Sequence, residues 1–304
     1  MPINTIEYGT KLQTALDQKA VIDATSGWME ANAGQVIYEG GKTIKVPTIS
    51  TSGMKDYDRD NGYPSGSVNL SYQSLDMTMD RSTSFLLDAM DVNESNFMVS
   101  AANVTNEFQK DQVVPEIDAY RYSKLAAYAE TGNVVTYTPA DNTIFKEFMT
   151  DIAAVKDIVG ENVPLVAIIN GQVKAQLELL DVFRKAIDVT DFKKGEITTK
   201  VNAINECKLL PVPSARMWDT YTFNDGKTEG EEAGGFVKGS TAKKMNWIIV
   251  PQSVPIAVSR QDKMKIIDPD AYQKADAWFL GYRKYHELWV KPQKKNQIRV
   301  SKQG

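Results

Sequence analysis

With 304 residues, 42% of them apolar and 24% charged, the chain has room for one large domain or two smaller ones and the composition of a folded protein. Asp and Glu outnumber Lys and Arg by 39 to 35, a net charge of −4, which argues against a dedicated nucleic-acid binder built on clustered cations. The single cysteine, Cys207, excludes an intrachain disulfide and a cysteine zinc site, and the single histidine, His286, removes His-rich metal sites and almost all familiar triads.

The amino terminus, MPINTIEYGTKLQTALDQKA, lacks a basic stretch followed by an apolar core and does not read as a signal peptide. No run approaches the ~20 apolar residues of a membrane span, so no membrane association is expected. Synthesis in the cytoplasm is the expectation, which makes the sequons at Asn69, Asn93 and Asn103 chance matches.

Residues 1–33 read as a loosely attached arm. Leu12, Leu16 and Ala20 share one narrow helical face that needs a partner surface, and Gly27, Trp28 and Gly34 punctuate its end. From Val36 to Thr48 the even positions Val36, Tyr38, Ile44 and Val46 are apolar. Val68, Leu70 and Tyr72 alternate likewise, then Leu75, Met77 and Met79 continue on odd positions. Period-2 alternation predicts half-buried antiparallel strands, and the phase change near Gln73 and Ser74 predicts a bulge. Between them, TSGMKDYDRDNGYPSG (Thr51 to Gly66) is too polar to bury and longer than an ordinary hairpin turn. A floppy surface loop is the plain reading. The sharper one is an arm that reaches over a neighbouring subunit.

Asn103 to Glu130 predicts a long helix with Val104, Phe108, Val114, Ile117, Leu125 and Tyr128 on one face. Pro115 is expected to kink or divide it. The opposite face, with Glu107, Lys110, Asp111, Glu116, Asp118 and Lys124, reads as a solvated or interfacial charged stripe. A second α/β region begins near Thr138. Phe145, Phe148, Ile152, Val155 and Val159 mark an amphipathic helix that Asp141 or Thr143 could cap. Val163 to Ile169 is a buried strand, and Asn170 caps a helix carrying Val173, Leu177 and Leu180. Thr198 to Pro213 reads as a strand, Phe223 to Gly239 as an exposed Gly-rich acidic loop, and Trp247 to Val250, Ile256 to Ile267 and Trp278 to Val290 as strands. The tail carries Arg283, Lys284, Lys291, Lys294, Lys295, Arg299 and Lys302 against Glu287, a local charge of +6 that suits acidic patches on neighbouring subunits.

No catalytic constellation emerges. Gly40-Gly41-Lys42-Thr43 resembles the end of a phosphate-binding loop, but it lies inside a strand pattern and lacks the first glycine. Asp56, Asp58 and Asp60 alternate as in a calcium loop, yet Gly62 is one residue late and no terminal Glu follows. Cys207 reads as a small hydrophobe and His286 as a packed or interfacial residue. Carboxylate pairs are abundant without any one being singled out, so a carboxylate hydrolase stays as a reading from a different class. No cofactor or metal is expected.

Four strings carry a resemblance. VVPEIDAYRYSKLA (Val113 to Ala126) is similar to the spine-helix segment of tailed-bacteriophage major capsid proteins. CKLLPVPSARM (Cys207 to Met217), FNDGKTEGEEAGGF (Phe223 to Phe236) and DPDAYQKADAWFLGYRKYHELWV (Asp268 to Val290) resemble later segments of the same family. The resemblance implies an α+β chain of the Hong Kong 97 type: an amino-terminal arm at 1–33 and an extended hairpin at 34–85. A peripheral domain with the spine helix follows at 86–139, then an axial domain at 140–270 and a return to the peripheral domain at 271–304. It further implies a homo-oligomer of pentamers and hexamers closing into an icosahedral shell around double-stranded DNA, read without sequence specificity. A separate scaffolding protein, a portal and a decoration protein are the implied partners, and an encapsulin-like compartment shell is the alternative. The residues expected at assembly contacts are Lys55, Asp56, Asp58 and Arg59 at the hairpin tip, Glu116 and Arg121 on the helix, and Arg283 and Lys284 in the tail.

Overall fold

The alternating segments become an arm of two long strands with a short third strand at its base. The computed structural model describes residues 24–35, 37–38, 43–88, 104–141, 143–180, 183, 188–194 and 197–304. The helical face of Leu12, Leu16 and Ala20, the Gly40-Gly41-Lys42 string and Asn93 therefore lie outside the described residues. Strand β1 (Ile37–Tyr38) pairs with β2 (Thr43–Thr51), and β2 pairs antiparallel with β3 (Val68–Asp76) in unbroken register from Thr43↔Asp76 to Thr51↔Val68. No bulge interrupts the pair at Gln73 and Ser74. The phase change has another cause: below Ser74 the strand meets the body of the protein, which lies on the odd side, so Leu75 and Met77 turn into a cluster with Ile256, Val258, Tyr285 and Trp289.

After the bend at Met77 and Thr78 the chain enters β4 (Met79–Asp88). This strand leaves the arm and joins a separate three-stranded sheet, so the paired arm itself is Thr43–Asp76. Residues 104–108 are helical, Gln109–Val113 form a π-helical turn, and helix α1 (Val114–Tyr128) follows without interruption. Pro115 does not divide the helix. It falls in the first turn of α1, where its missing N–H matters least, and the wider π turn carries the chain past it, with the Val114 N–H donating to the Gln109 carbonyl.

The remaining elements are β5 (Val134–Thr136), α2 (Ile144–Val159), β6 (Leu165–Asn170), α3 (Gly171–Glu178), β7 (Asp188–Lys194), β8 (Ile197–Ile204), β9 (Cys207–Val212), β10 (Tyr221–Phe223), β11 (Phe236–Lys238), β12 (Met245–Pro251), β13 (Ile256–Ile267), β14 (Ala277–Trp289) and β15 (Arg299–Lys302). A seven-stranded mixed sheet runs β5-β15-β12-β6-β9-β8-β7, and the smaller sheet runs β13-β14-β4. Strands β6 and β12 are buried at every position, the mark of a sheet covered on both faces. One face, with Val166, Ile168, Leu210, Ile248 and Val250, packs against Tyr122 and Leu125 of α1 and Leu288 of β14. The other, with Leu165, Ala167, Ile169, Leu209 and Trp247, packs against Phe148, Ile152 and Val155 of α2 and Val173 and Leu177 of α3. Period 2 in the strands and period 3.6 in the helices thus meet in two layers of core.

Asn170 caps α3 as its position suggests, its side chain accepting from the Gln172 N–H at 3.0 Å. Thr143 stands at the start of α2 without a capping bond, its hydroxyl instead 2.8 Å from the Tyr137 hydroxyl. The segment from Thr198 to Pro213 is two strands rather than one. Asn205 and Glu206, at φ 47° and 62°, form a tight turn between β8 and β9. Both central residues of such a turn need positive φ, which Asn tolerates and Glu does not favour.

Candidate assembly interface

The arm has two unlike faces. Register puts Pro47, Ile49 and Thr51 opposite Tyr72, Leu70 and Val68, all on one side, while Thr48, Ser50, Asn69, Ser71 and Gln73 occupy the other. On the apolar side Ile49 is 66% exposed, Val68 75%, Leu70 52% and Tyr72 53%. A two-stranded ribbon with one such face is marginal alone and gains stability only when that face is covered.

The tip is held by local bonds despite its polarity. Lys55 Nζ donates to the Ser65 carbonyl at 2.9 Å. Asp58 accepts from the Asp60 N–H at 2.9 Å and from Asn61 Nδ2 at 2.5 Å, and these hydrogen bonds, led by Asn61, hold its carboxyl below the usual range. Tyr57 and Tyr63 meet edge to face at 5.3 Å, and Met54 is fully exposed. The tip is a formed turn.

At its other end the arm is bolted to the body. The buried carboxylate of Glu287 on β14 accepts from Thr78 at 3.0 Å through its N–H and 2.6 Å through its hydroxyl. It also accepts from the Tyr120 hydroxyl, and Lys124 Nζ lies 3.3 Å away. The Tyr285 hydroxyl donates to the Met77 carbonyl at 3.0 Å. Burial and the adjoining Glu287 carboxylate push the Tyr120 phenol far up, so it stays a donor at any ordinary pH. The preceding segment is anchored separately, Asn32 Nδ2 donating to the carbonyls of Gln252 and Pro255 at 2.8 Å each.

A second buried network ties residues 24–30 to α1. Asp118, wholly buried, accepts from the Thr25 N–H (3.0 Å), the Thr25 hydroxyl (2.7 Å) and the Ser26 N–H (2.9 Å), and pairs with Arg216 at 2.9 Å. Arg121 pairs with Glu30 at 2.5 Å. Burial alone would raise the Glu30 carboxyl, but Arg121 and Lys284 outweigh it and hold the group below its usual range. Arg81 of β4 is a third tie: it pairs with Glu116 at 2.8 Å and donates to the carbonyls of Asn224 (2.5 Å) and Gly235 (3.0 Å). The Phe223–Gly239 segment is therefore a short hairpin, β10 with β11, pinned at its neck and exposed through 225–230.

These contacts divide the residues expected at assembly contacts. Lys55, Asp56, Asp58 and Arg59 stand together, exposed, at the arm tip. Arg121 and Lys284 do not belong on an outer surface. Arg121 is 1% and Lys284 5% exposed, because both are drawn into the carboxylate networks beneath α1. Asp118 likewise leaves the charged stripe for the interior, and Glu116 is taken up by Arg81. Three of the tail cations pair within the chain: Arg283 with Asp80 at 2.6 Å, Arg299 with Asp151 at 2.8 Å and Lys302 with Asp219 at 3.1 Å. Of these Arg283 stays half exposed. A cleft of about 680 Å³ lies between β4, the helix and the 224–235 loop, lined in part by the Arg81–Glu116 pair and by Asp225 and Glu232, which accept from amides of their own loop. Cys207 is buried in the sheet, and burial pushes its thiol up to about 12, far from a thiolate nucleophile. Among the described residues no group of three or more His, Cys, Asp or Glu could hold a metal ion, and no helix is long and apolar enough to cross a membrane.

No protein-family model and no curated protein matches the chain. Solved structures do. The mature capsid of bacteriophage PhiM1 aligns with a TM-score of 0.54 at 11% identity, covering 88% of this chain and 83% of that one. The capsid of cyanophage P-SCSP1u gives 0.54 at 10%, covering 88% and 85%. The chain has the Hong Kong 97-type capsid fold. A virus-like particle from Pyrococcus furiosus shares it, with a TM-score of 0.55 at 14% identity over 97% of this chain and 99% of that one. At such identities the capsid fold is what is common, and no side-chain role is transferred.

Proposed function

We propose that this chain is the major shell subunit of a tailed-phage head, forming pentamers and hexamers that close into an icosahedron around double-stranded DNA. The observation that carries the reading is the apolar face of the arm, Ile49, Val68, Leu70 and Tyr72, more than half exposed at each of these positions and covered by none of the described residues. The capsid fold supports it. A second copy covers that face, and many such weak contacts multiplied by symmetry hold the shell. The role is structural rather than catalytic, and its place is the virion. The proposed divisions are those read from the sequence: 1–33 as amino-terminal arm, 34–85 as hairpin, 86–139 with 271–304 as peripheral domain and 140–270 as axial domain. Within them the hairpin's paired part is 43–76, β4 is given to the body's three-stranded sheet, and 24–30 is packed beneath α1. Net charge −4 keeps packaged DNA from adhering to the wall. Scaffolding, portal and decoration proteins are the partners of such a shell, and Lys55, Asp56, Asp58, Arg59 and Arg283 are its exposed contact residues.

An encapsulin-like compartment shell is the second reading, favoured by the near-complete overlap with the virus-like particle chain. Native mass measurement and negative-stain microscopy over a concentration series test the shell reading. Rings of five and six subunits or closed particles are expected. A monomer or dimer at every concentration, with or without co-expressed scaffold, contradicts it. Double-stranded DNA inside particles from infected cells separates a phage head from a compartment.

A further inference from the structure

His286 is a buried titratable group at the root of the arm that the arm's anchors leave unused. It is 1% exposed and sits on β14 opposite Met79 of β4 and Ser259 of β13, one residue from the bend at which the arm leaves the body. Its ring meets Tyr120 edge-on at 5.4 Å, and its Nδ1 is buried without a hydrogen-bond partner. The charges that act on it most strongly are cations: Arg121 from α1, Lys284 from its own strand and Arg81 from β4. It also lines the cleft that carries Asp80 of β4, Glu116 of α1 and Asp225 and Glu232 of the 224–235 loop. The nearby carboxylates are engaged elsewhere. Glu30 serves Arg121 and Ser259, Glu116 serves Arg81, and Glu287 serves Thr78, Tyr120 and Lys124.

A proton on this imidazole adds a further positive charge among three, with Nδ1 itself shut off from the cleft and given no acceptor by the surrounding side chains. Nothing in the closed arrangement accommodates it.

We propose that His286 is an acid-operated release for the root of the arm: it takes up a proton only as β14 and β4 part beside Met79, and that parting withdraws Glu287 from Thr78 and frees the arm to change its angle. Burial and the facing cations hold the closed-state imidazole well below its ordinary value. The sign follows. The closed root binds no proton and the open root binds one near pH 6.5, so opening is unaffected above that pH and grows more favourable as pH falls below it. The opening constant rises by up to about tenfold per pH unit, or about thirtyfold at pH 5. That the freed arm re-seats on a neighbour rests on the shell reading. The release itself does not.

Hydrogen–deuterium exchange at residues 76–81 of the purified protein, corrected for the intrinsic pH dependence of exchange, reads the opening constant in either assembly state. The wild type is expected to exchange about thirtyfold faster at pH 5.0 than at pH 7.5, and His286→Gln and His286→Phe to show no such rise. Glu287→Gln should exchange faster at every pH while keeping the acid slope. A flat wild-type profile overturns the proposal without any variant, and so does an acid slope that persists in either neutral replacement. Failure here leaves the shell reading standing, since that is judged by particle formation.

Discussion

Asp118 shows why one residue can decide where a whole segment lies. A carboxylate with no access to water needs its lone pairs filled, and here the Thr25 and Ser26 amides, the Thr25 hydroxyl and Arg216 fill them. Replacing Asp118 with Ala leaves those donors and a guanidinium uncompensated, and the expected loss is about 3 kcal/mol by denaturant titration. Glu30 carries a pH-dependent share. Its folded pKa lies below the unfolded value of about 4.5, so its contribution is present above that pH and is lost as pH falls through the folded value. Glu30→Gln should therefore be less stable than wild type at pH 7, with the gap closing as pH falls below about 4.5 and through the lower folded value. The residue scale is also where the sequence misleads. Asp118 and Arg121 flank the stripe of Val114, Ile117 and Leu125, so helical period alone places Arg121 on the buried side. Charge, read without that spacing, sends both to the surface. Which carboxylate answers Arg121 is set by a contact across 91 positions, which no local pattern reveals.

Elements were legible to the extent that their period was. The two halves of the arm, helix α2, strand β6 and the Asn170 cap follow from alternation, 3.6-residue spacing and capping chemistry. The turn at Asn205 and Glu206 was hidden, because only Asn hints at positive φ and the flanking residues read as one apolar run. Glu206→Gly relieves the left-handed strain and completes an Asn-Gly hairpin turn, so a gain of about 0.5–1 kcal/mol in unfolding free energy is expected. The π turn before Pro115 was equally invisible, since the same residues suit an α-helix and only the bulk of the proline ring against the preceding turn favours a wider path. The arm makes the opposite prediction from a core element. Ile49→Ser with Leu70→Ser alters residues more than half exposed in the isolated chain, so the melting temperature should stay within about 2 °C of wild type. Particle formation, followed by light scattering, should fall at least tenfold. A large loss of thermal stability would instead mean that the arm folds back on its own body.

For the whole molecule, the sheet with its two layers of core is complete without partners, whereas the arm is not. Its root is fixed by Glu287 and Tyr285, its tip by its own turn, and its apolar face by nothing among the described residues. Resemblance pointed to the shell architecture, and the fold agrees with it. What no sequence pattern supplied is which carboxylates answer Arg121, Arg283, Arg299 and Lys302, because ion pairs join residues far apart in the chain. The central claim is that a second copy covers Ile49, Leu70 and Tyr72. A photo-crosslinking residue at position 70, in an equal mixture of isotopically light and heavy chains, tests it most directly. Mass analysis should find Leu70-site adducts joining light to heavy peptides from one repeated surface of the protein. Adducts confined to single chains, or none above the level of a crosslinker placed on the polar face at Ser71, would contradict the account.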